Sequence, residues 1–132
     1  MNTIEIIGLF VAVISVFIAI WAQTKILRWT FFAEYTKRYQ KIMFHLPENM
    51  DDIDGLKNKE TRRYLRIYFD LCDEQYFLYR KGRLNRRIWK NWKEGMESMF
   101  STKIVSTYWK ENRTDSSKFN DFVEKDIIGN SQ

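Results

Sequence analysis

The pattern of apolar and polar positions divides the chain into a uniformly apolar stretch and a longer part of mixed, periodic character. From Ile6 to Ala22 the sequence reads IIGLFVAVISVFIAIWA, with no charged residue. With Ile4 included, the stretch approaches the roughly 20 apolar residues a helix needs to cross about 30 Å of hydrocarbon. A run that is apolar on every face does not suit a helix of a soluble protein, which keeps one polar side. Residues near Ile4–Ala22 are therefore expected to form a single N-terminal membrane-spanning helix. Glu5 lies at the outer end, where a carboxylate reaches the interface. Trp21 stands at the other end, with Lys25 and Arg28 just beyond as further interface anchors. A cleaved signal peptide is the rival reading, but no Lys or Arg precedes the run and no clear small-x-small cleavage site follows it.

The small residues of the span are Gly8, Ala12, Ser15, Ala19 and Ala22, at spacings of 4, 3, 4 and 3. That is the heptad period of a left-handed helix pair, so all five share one face. In lipid, small residues let helix backbones approach closely, and packing drives association. With one span per chain, the facing helix must come from another copy or from a different membrane protein.

Beyond the span no Gly or Pro occurs before Pro47. The helix is expected to continue to that proline, projecting about 36 Å over Gln23–Leu46. The small-residue stripe continues in phase as Ile26, Trp29, Ala33 and Thr36. Phe32, Tyr35, Tyr39, Ile42, Met43 and Leu46 form a second apolar face, one wall of a core. Pro47–Lys57 is acidic at Glu48, Asp51, Asp52 and Asp54 and reads as a solvated loop. It lacks the glycine and terminal glutamate positions of a calcium loop. Asn58 caps a helix over roughly Lys59–Lys81, with Leu65, Tyr68, Phe69, Cys72, Tyr76 and Tyr79 on its buried side. Gly82 ends that helix. Asn85 caps the next, about Arg86–Phe100, which buries Ile88, Trp89, Trp92, Met96 and Met99. A short helix from Ser101 or Thr102 carries Ile104, Val105, Tyr108 and Trp109. After a polar loop at Arg113–Ser117, a last helix near Lys118–Ile128 carries Phe119, Phe122 and Val123. The fold class is all-α: an anchor at residues 1–23, a helical domain over 24–128 of about four further helices, and a disordered tail at 129–132.

Charge adds orientation. Lys25, Arg28, Lys37, Arg38 and Lys41 follow the span, while only Glu5 and the terminal amine precede it. Positive flanks stay inside, so the N-terminus is expected outside and the helical domain in the cytoplasm, at the inner (plasma) membrane. The sequon at Asn112-Arg113-Thr114 then faces the wrong side for glycosylation. The net charge of +5 over 132 residues favours an anionic partner: lipid, nucleic acid or an acidic protein. The charge concentrates at Arg80, Lys81, Arg83, Arg86, Arg87, Lys90 and Lys93, with no acid among residues 80–93. This basic corner is interleaved with Trp89 and Trp92. It reads either as a site for lipid headgroups, a nucleotide or nucleic acid, or as a solvated corner whose aromatics belong to the core.

The catalytic inventory is poor. His45 and Cys72 are single residues of their kinds, and a zinc site wants several nitrogen or sulfur ligands. A Cys72 nucleophile would need His45 as its base, and Cys72 sits on an apolar face. The acids Asp70, Asp73 and Glu74 lie among Arg62, Arg63, Arg66 and Arg80, which predicts surface ion pairing. No glycine loop for phosphate is present. No catalytic residue, metal site or cofactor is expected.

The segment RIYFDLCDEQYFLYRKGRLNRRIWKNWKEGM at Arg66–Met96 has a YF-x-L-C-x-E-x-Y/F-x-L-x-x-K/R-G pattern followed by a W-x-x-W/E-G helix. Phe31-Phe32-Ala33-Glu34 and Tyr39-Gln40-Lys41-Ile42 extend it. In these features the chain resembles a loose group of small, uncharacterised bacterial membrane-anchored proteins. The resemblance implies a helical cytoplasmic domain and a bacterial source, and carries over no catalytic residue. The expected function is that of a non-enzymatic single-pass protein that self-associates through its span and docks a cytoplasmic partner. The competing expectation is a membrane effector, of the kind found in bacterial defence, whose basic corner senses an anionic ligand or nucleic acid.

Overall fold

The structure is a computed structural model that describes residues 2–129. Of the predicted disordered tail at 129–132, residues 130–132 lie outside the described residues, and Gly129 keeps helical backbone angles as the C-cap of the last turn. The fold is all-α: five α-helices, one 3₁₀ turn and one π-helical turn, with no strand among the described residues. Helix α1 spans Thr3–His45, α2 Lys59–Arg80, α3 Arg86–Phe100, α4 Lys103–Glu111 and α5 Ser117–Phe122. The chain divides into two compact units, Met1–Glu34 and Tyr35–Gln132.

The first unit is helical and exposed throughout its apolar run. Its N-terminus is held by reciprocal bonds in which the Asn2 side chain accepts from Glu5 N at 2.9 Å and Asn2 N donates to Glu5 at 3.1 Å. This is a capping box that satisfies two otherwise orphaned N–H groups. The helix is long and apolar enough to cross a membrane.

The second unit is built around aromatic side chains. Trp109 is 0% exposed. It meets Phe69 of α2 at 5.1 Å, Phe100 of α3 at 5.3 Å and Phe119 of α5 at 5.9 Å, each edge to face. A second set stacks Tyr76 on Phe122 at 4.3 Å and Tyr79 on Trp89 at 4.4 Å. Such pairs contribute about 0.5–1.5 kcal/mol each beyond area burial. Tyr35, Ile42 and Leu46 are buried in the same unit. Tyr79 is an exception to the predicted core at 41% exposed. It is the penultimate residue of α2, stacked on Trp89 and otherwise open to solvent. Tyr76, Ile88 and Trp92 are half-buried rather than buried.

Three local features differ from the pattern-based reading. The acidic segment is not merely a solvated loop: Ile53–Lys57 winds into a 3₁₀ turn. Its Asp52 side chain accepts from Asp54 N, and the Asp51 carboxylate accepts from Lys103 N at 3.1 Å. The acids thus cap helix starts, including that of α4, where the positive end of the dipole favours them. Gly55 makes this packing possible, since a Cβ there would come within 2.8 Å of Ile104 Cδ1. The last predicted helix is two elements, α5 and a π-helical turn at Val123–Ile128. The predicted caps Asn58, Asn85 and Thr102 all accept from the following turn.

Gly82 closes α2 with φ +69°. Its N–H donates to Tyr79 O at 3.0 Å, and Arg83 N–H donates to Leu78 O at 3.0 Å, a Schellman pair. A Cβ at Gly82 meets nothing within 4 Å, so only the backbone demands glycine there. Gly82→Ala should therefore destabilise the domain by about 1–2 kcal/mol. Gly95, inside α3 with open space around it, should gain about 0.5–1 kcal/mol on Gly95→Ala. Thermal unfolding of the full chain in detergent, followed by circular dichroism, checks both signs.

Candidate functional site

Three candidate surfaces come from the sequence, and each sits differently in the structure. The first is the small-residue face of α1. Gly8, Ala12, Ser15 and Ala19 are exposed and Ala22 is half-buried. The Ser15 hydroxyl donates to Val11 O at 2.8 Å, so its polar group is satisfied within its own helix. The face is left low in relief and without an unpaired donor. Beyond it, Lys25 Nζ lies 5.2 Å over the Trp21 ring, and Arg28 is exposed.

The second is the basic corner, formed by the end of α2, the Gly82 turn and the first two turns of α3. Arg80, Lys81, Arg83, Arg86, Arg87 and Lys90 are exposed, and Lys93 is half-buried. Arg80 lies over the Tyr76 ring and Lys81 over Phe77, each at 5.6 Å. Among the described residues, none of the seven cations makes an ion pair. The interleaved aromatics are engaged elsewhere. Trp89 is 7% exposed and packs between Tyr79 and Phe122. Trp92 meets Tyr35 at 5.3 Å. The corner thus offers charge, but Trp89 has no face open for stacking on a base.

The third is the carboxylate cluster of α2. Among the described residues the cluster's ion pair runs between helices, while Arg80 of the same helix acts on Asp73 through its charge. Glu74 bonds Arg38 of α1 at 2.6 Å, and Tyr35 donates to the same oxygen. Arg62 instead donates to the Leu56 carbonyl. Asp73 accepts from the Ser116 hydroxyl, and that hydroxyl in turn caps Phe119 N. Burial raises the Asp73 carboxyl pKa; Ser116 and Arg80 lower it, and Asp70 and Glu74 raise it. Asp73 lines a polar groove of about 560 Å³ between α2 and the α4–α5 loop, with Arg66, Asp70, Glu111, Arg113 and Asp115.

His45 and Cys72 do not assemble. His45 bonds Glu60 at 3.1 Å and stacks on Tyr64 at 4.2 Å. Cys72 is buried against Tyr68, and burial pushes its thiol up to about 12. No group of three or more His, Cys, Asp or Glu side chains positioned to hold a metal occurs among the described residues.

Sequence pattern missed one polar lock. The buried Trp109 Nε1–H donates to Glu124 Oε1 at 3.2 Å, and Arg113 Nη2 donates to the same oxygen at 2.9 Å. Glu124 reaches this position from the π-helical turn. A lone Glu in an amphipathic pattern carries no mark of this, although a fully buried Trp must find a partner for its N–H. Comparison with family models, curated proteins and solved structures returns no match for this chain.

The Cys72 environment sets a pH dependence. An unfolded thiol releases its proton near 9.0, whereas the folded one holds it to about 12. The folded pKa is raised, so the contribution to stability is full below the unfolded value and is lost as pH rises from about 9 to about 12. The loss approaches about 1.4 kcal/mol per pH unit inside that window. The slope is expected to be shallower in Cys72→Ala. Alkylation of Cys72 by iodoacetamide at pH 8 should be at least about hundredfold slower in the folded chain than in urea. Equal rates would show a thiol open to solvent.

Proposed function

We propose that this is a non-enzymatic single-pass membrane protein that self-associates through its N-terminal helix and docks a partner with its helical domain. Insertion with the N-terminus outside leaves that domain in the cytoplasm. One observation carries the reading: α1 presents an apolar surface on every side of its first five turns, with its small residues confined to one heptad face. Lipid can cover the bulky Ile, Val and Phe side chains. A second helix packs best where Gly8, Ala12, Ser15 and Ala19 let backbones close up. Copies inserted in one orientation meet in parallel, so the same residues face each other. The pairing of Lys25 with Trp21 supports an interface at that end of the span.

The test is oligomeric size. Ala12→Ile together with Ala19→Ile should shift the protein toward monomer in mild detergent, read by crosslinking and light scattering. Unchanged size would remove this face as the seam.

A second reading has its own support. Seven cations gathered around the Gly82 turn, none in an ion pair among the described residues, suit an anionic ligand, which makes the protein an effector that senses one at its domain. Because Trp89 is packed away, recognition there rests on charge and weakens steeply with salt. Arg83→Glu, Arg86→Glu and Arg87→Glu together should abolish retention on a phosphate-polymer column, with an unchanged circular dichroism spectrum. Retention equal to that of the wild type would end this reading.

A further inference from the structure

A cleft of about 300 Å³ opens between the last turns of α1 and the first half of α2. It is lined by Arg38, Lys41 and Ile42 from α1 and by Arg63, Tyr64 and Ile67 from α2. Three cations from two helices converge there, and among the described residues no acid lines the cleft. It is separate from the basic corner and shares no residue with it.

The lining is ordered by contacts at its edges. Arg38 is fixed by its bond to Glu74 and lies 5.3 Å over the Tyr35 ring. Tyr64 is fixed by stacking on His45, itself bonded to Glu60. Glu74 offsets the charge of Arg38. Lys41 and Arg63 are exposed and make no ion pair among the described residues. The uncompensated charge at the cleft is therefore that of these two side chains. Ile67 is 38% exposed beside them, and Ile42 is buried at the base.

We infer that this cleft binds a phosphate monoester. The two unpaired cations match the charge of about −1.5 to −2 that a monoester carries at neutral pH. The guanidinium of Arg63 suits two phosphate oxygens at once, and Lys41 supplies a point charge opposite. Ile67 and the edge of Tyr64 offer an apolar rest for the organic part of the ester. A carboxylate or sulfate ester carries one charge and leaves one cation unmatched. The ester can be a soluble metabolite or the headgroup of a phosphatidic-acid type lipid, since the recognised chemistry is the same.

The experiment uses the full chain in neutral detergent micelles and two probes, glycerol 3-phosphate and short-chain phosphatidic acid. Binding is read by phosphorus NMR shifts and by calorimetry. At least one probe is expected to bind, and which one binds identifies a soluble or a lipid-borne source. Lys41→Gln with Arg63→Gln should weaken that binding at least about tenfold. Lys110→Gln with Lys125→Gln removes the same charge from exposed positions elsewhere and should leave it unchanged. Arg83→Gln with Arg86→Gln at the corner should also leave it unchanged. The cleft assignment fails if neither probe binds, if the Lys41 and Arg63 variant binds as the wild type does, or if either control pair weakens binding equally. All six side chains lie at the surface, and circular dichroism confirms that each variant retains its helices.

Discussion

Trp109 imposes the constraint on which the domain's packing depends. Its indole is large, wholly withdrawn from water and edge-on to rings from α2, α3 and α5. The same indole carries an N–H that costs about 1–3 kcal/mol if buried without an acceptor. The 15 residues after Trp109 supply both the acceptor for that N–H and the third ring, Phe119. Asn112 ends α4, the polar loop reverses direction, and Ser116 starts α5 so that Phe119 returns to the ring. The chain then widens into a π-helical turn, and Glu124 accepts the indole proton while Arg113 holds the carboxylate. A π-helical turn carries poorer hydrogen-bond geometry than an α-helix and persists where something is gained from it. Here it accompanies Val123 and Ile127 buried on one side and Glu124 exposed to Arg113 on the other.

The N-terminal unit answers to a different constraint. Nothing within it covers Ile4 to Trp21, and every residue of that run is exposed. A helix of this kind satisfies its backbone polar groups internally, which is what a lipid environment requires of a spanning segment. Beyond Ala22 the same exposure continues at Ile26 and Trp29, each 65%. These two stand in heptad phase with the small residues, so bulk interrupts the small-residue face as the charged residues begin, before Ala33 and Thr36 resume it.

Much of this was legible in the pattern of residues, and the exceptions share a cause. Helix ends were readable because Asn58, Asn85, Gly82 and Pro47 act through the few residues next to them. The core faces of α2 and α3 were readable from the 3.6-residue period. What escaped were partners distant in sequence. Asp51 looks like part of a solvated loop until the start of α4 is brought against it. Glu74 has arginines nearby on its own helix but bonds Arg38, 36 residues away. The basic corner was legible as a run of charge, whereas the cleft of Arg38, Lys41 and Arg63 exists only once two helices lie side by side. Trp89 and Trp92 suggest a base-stacking surface by their place in the sequence, but packing buries Trp89 in the core and sets the half-buried Trp92 against Tyr35.

Those cations show why net charge is a poor guide to where a ligand binds. The formal excess is +5, yet the corner alone carries seven positive side chains, none of them in an ion pair among the described residues. Acids elsewhere balance the total but do not neutralise the corner, because screening at about 8–10 Å isolates one surface from another. Their carboxylates are committed: Asp51 and Asp52 to helix starts, Glu74 to Arg38, Glu60 to His45, and Glu124 to Arg113. Each such bond removes an acid from competition for Arg83, Arg86, Lys41 or Arg63, and those of Asp51, Glu74 and Glu60 also join separate segments of the domain. The polar bonds that tie helix to helix in the domain thereby leave two separate groups of cations open to an anion from outside.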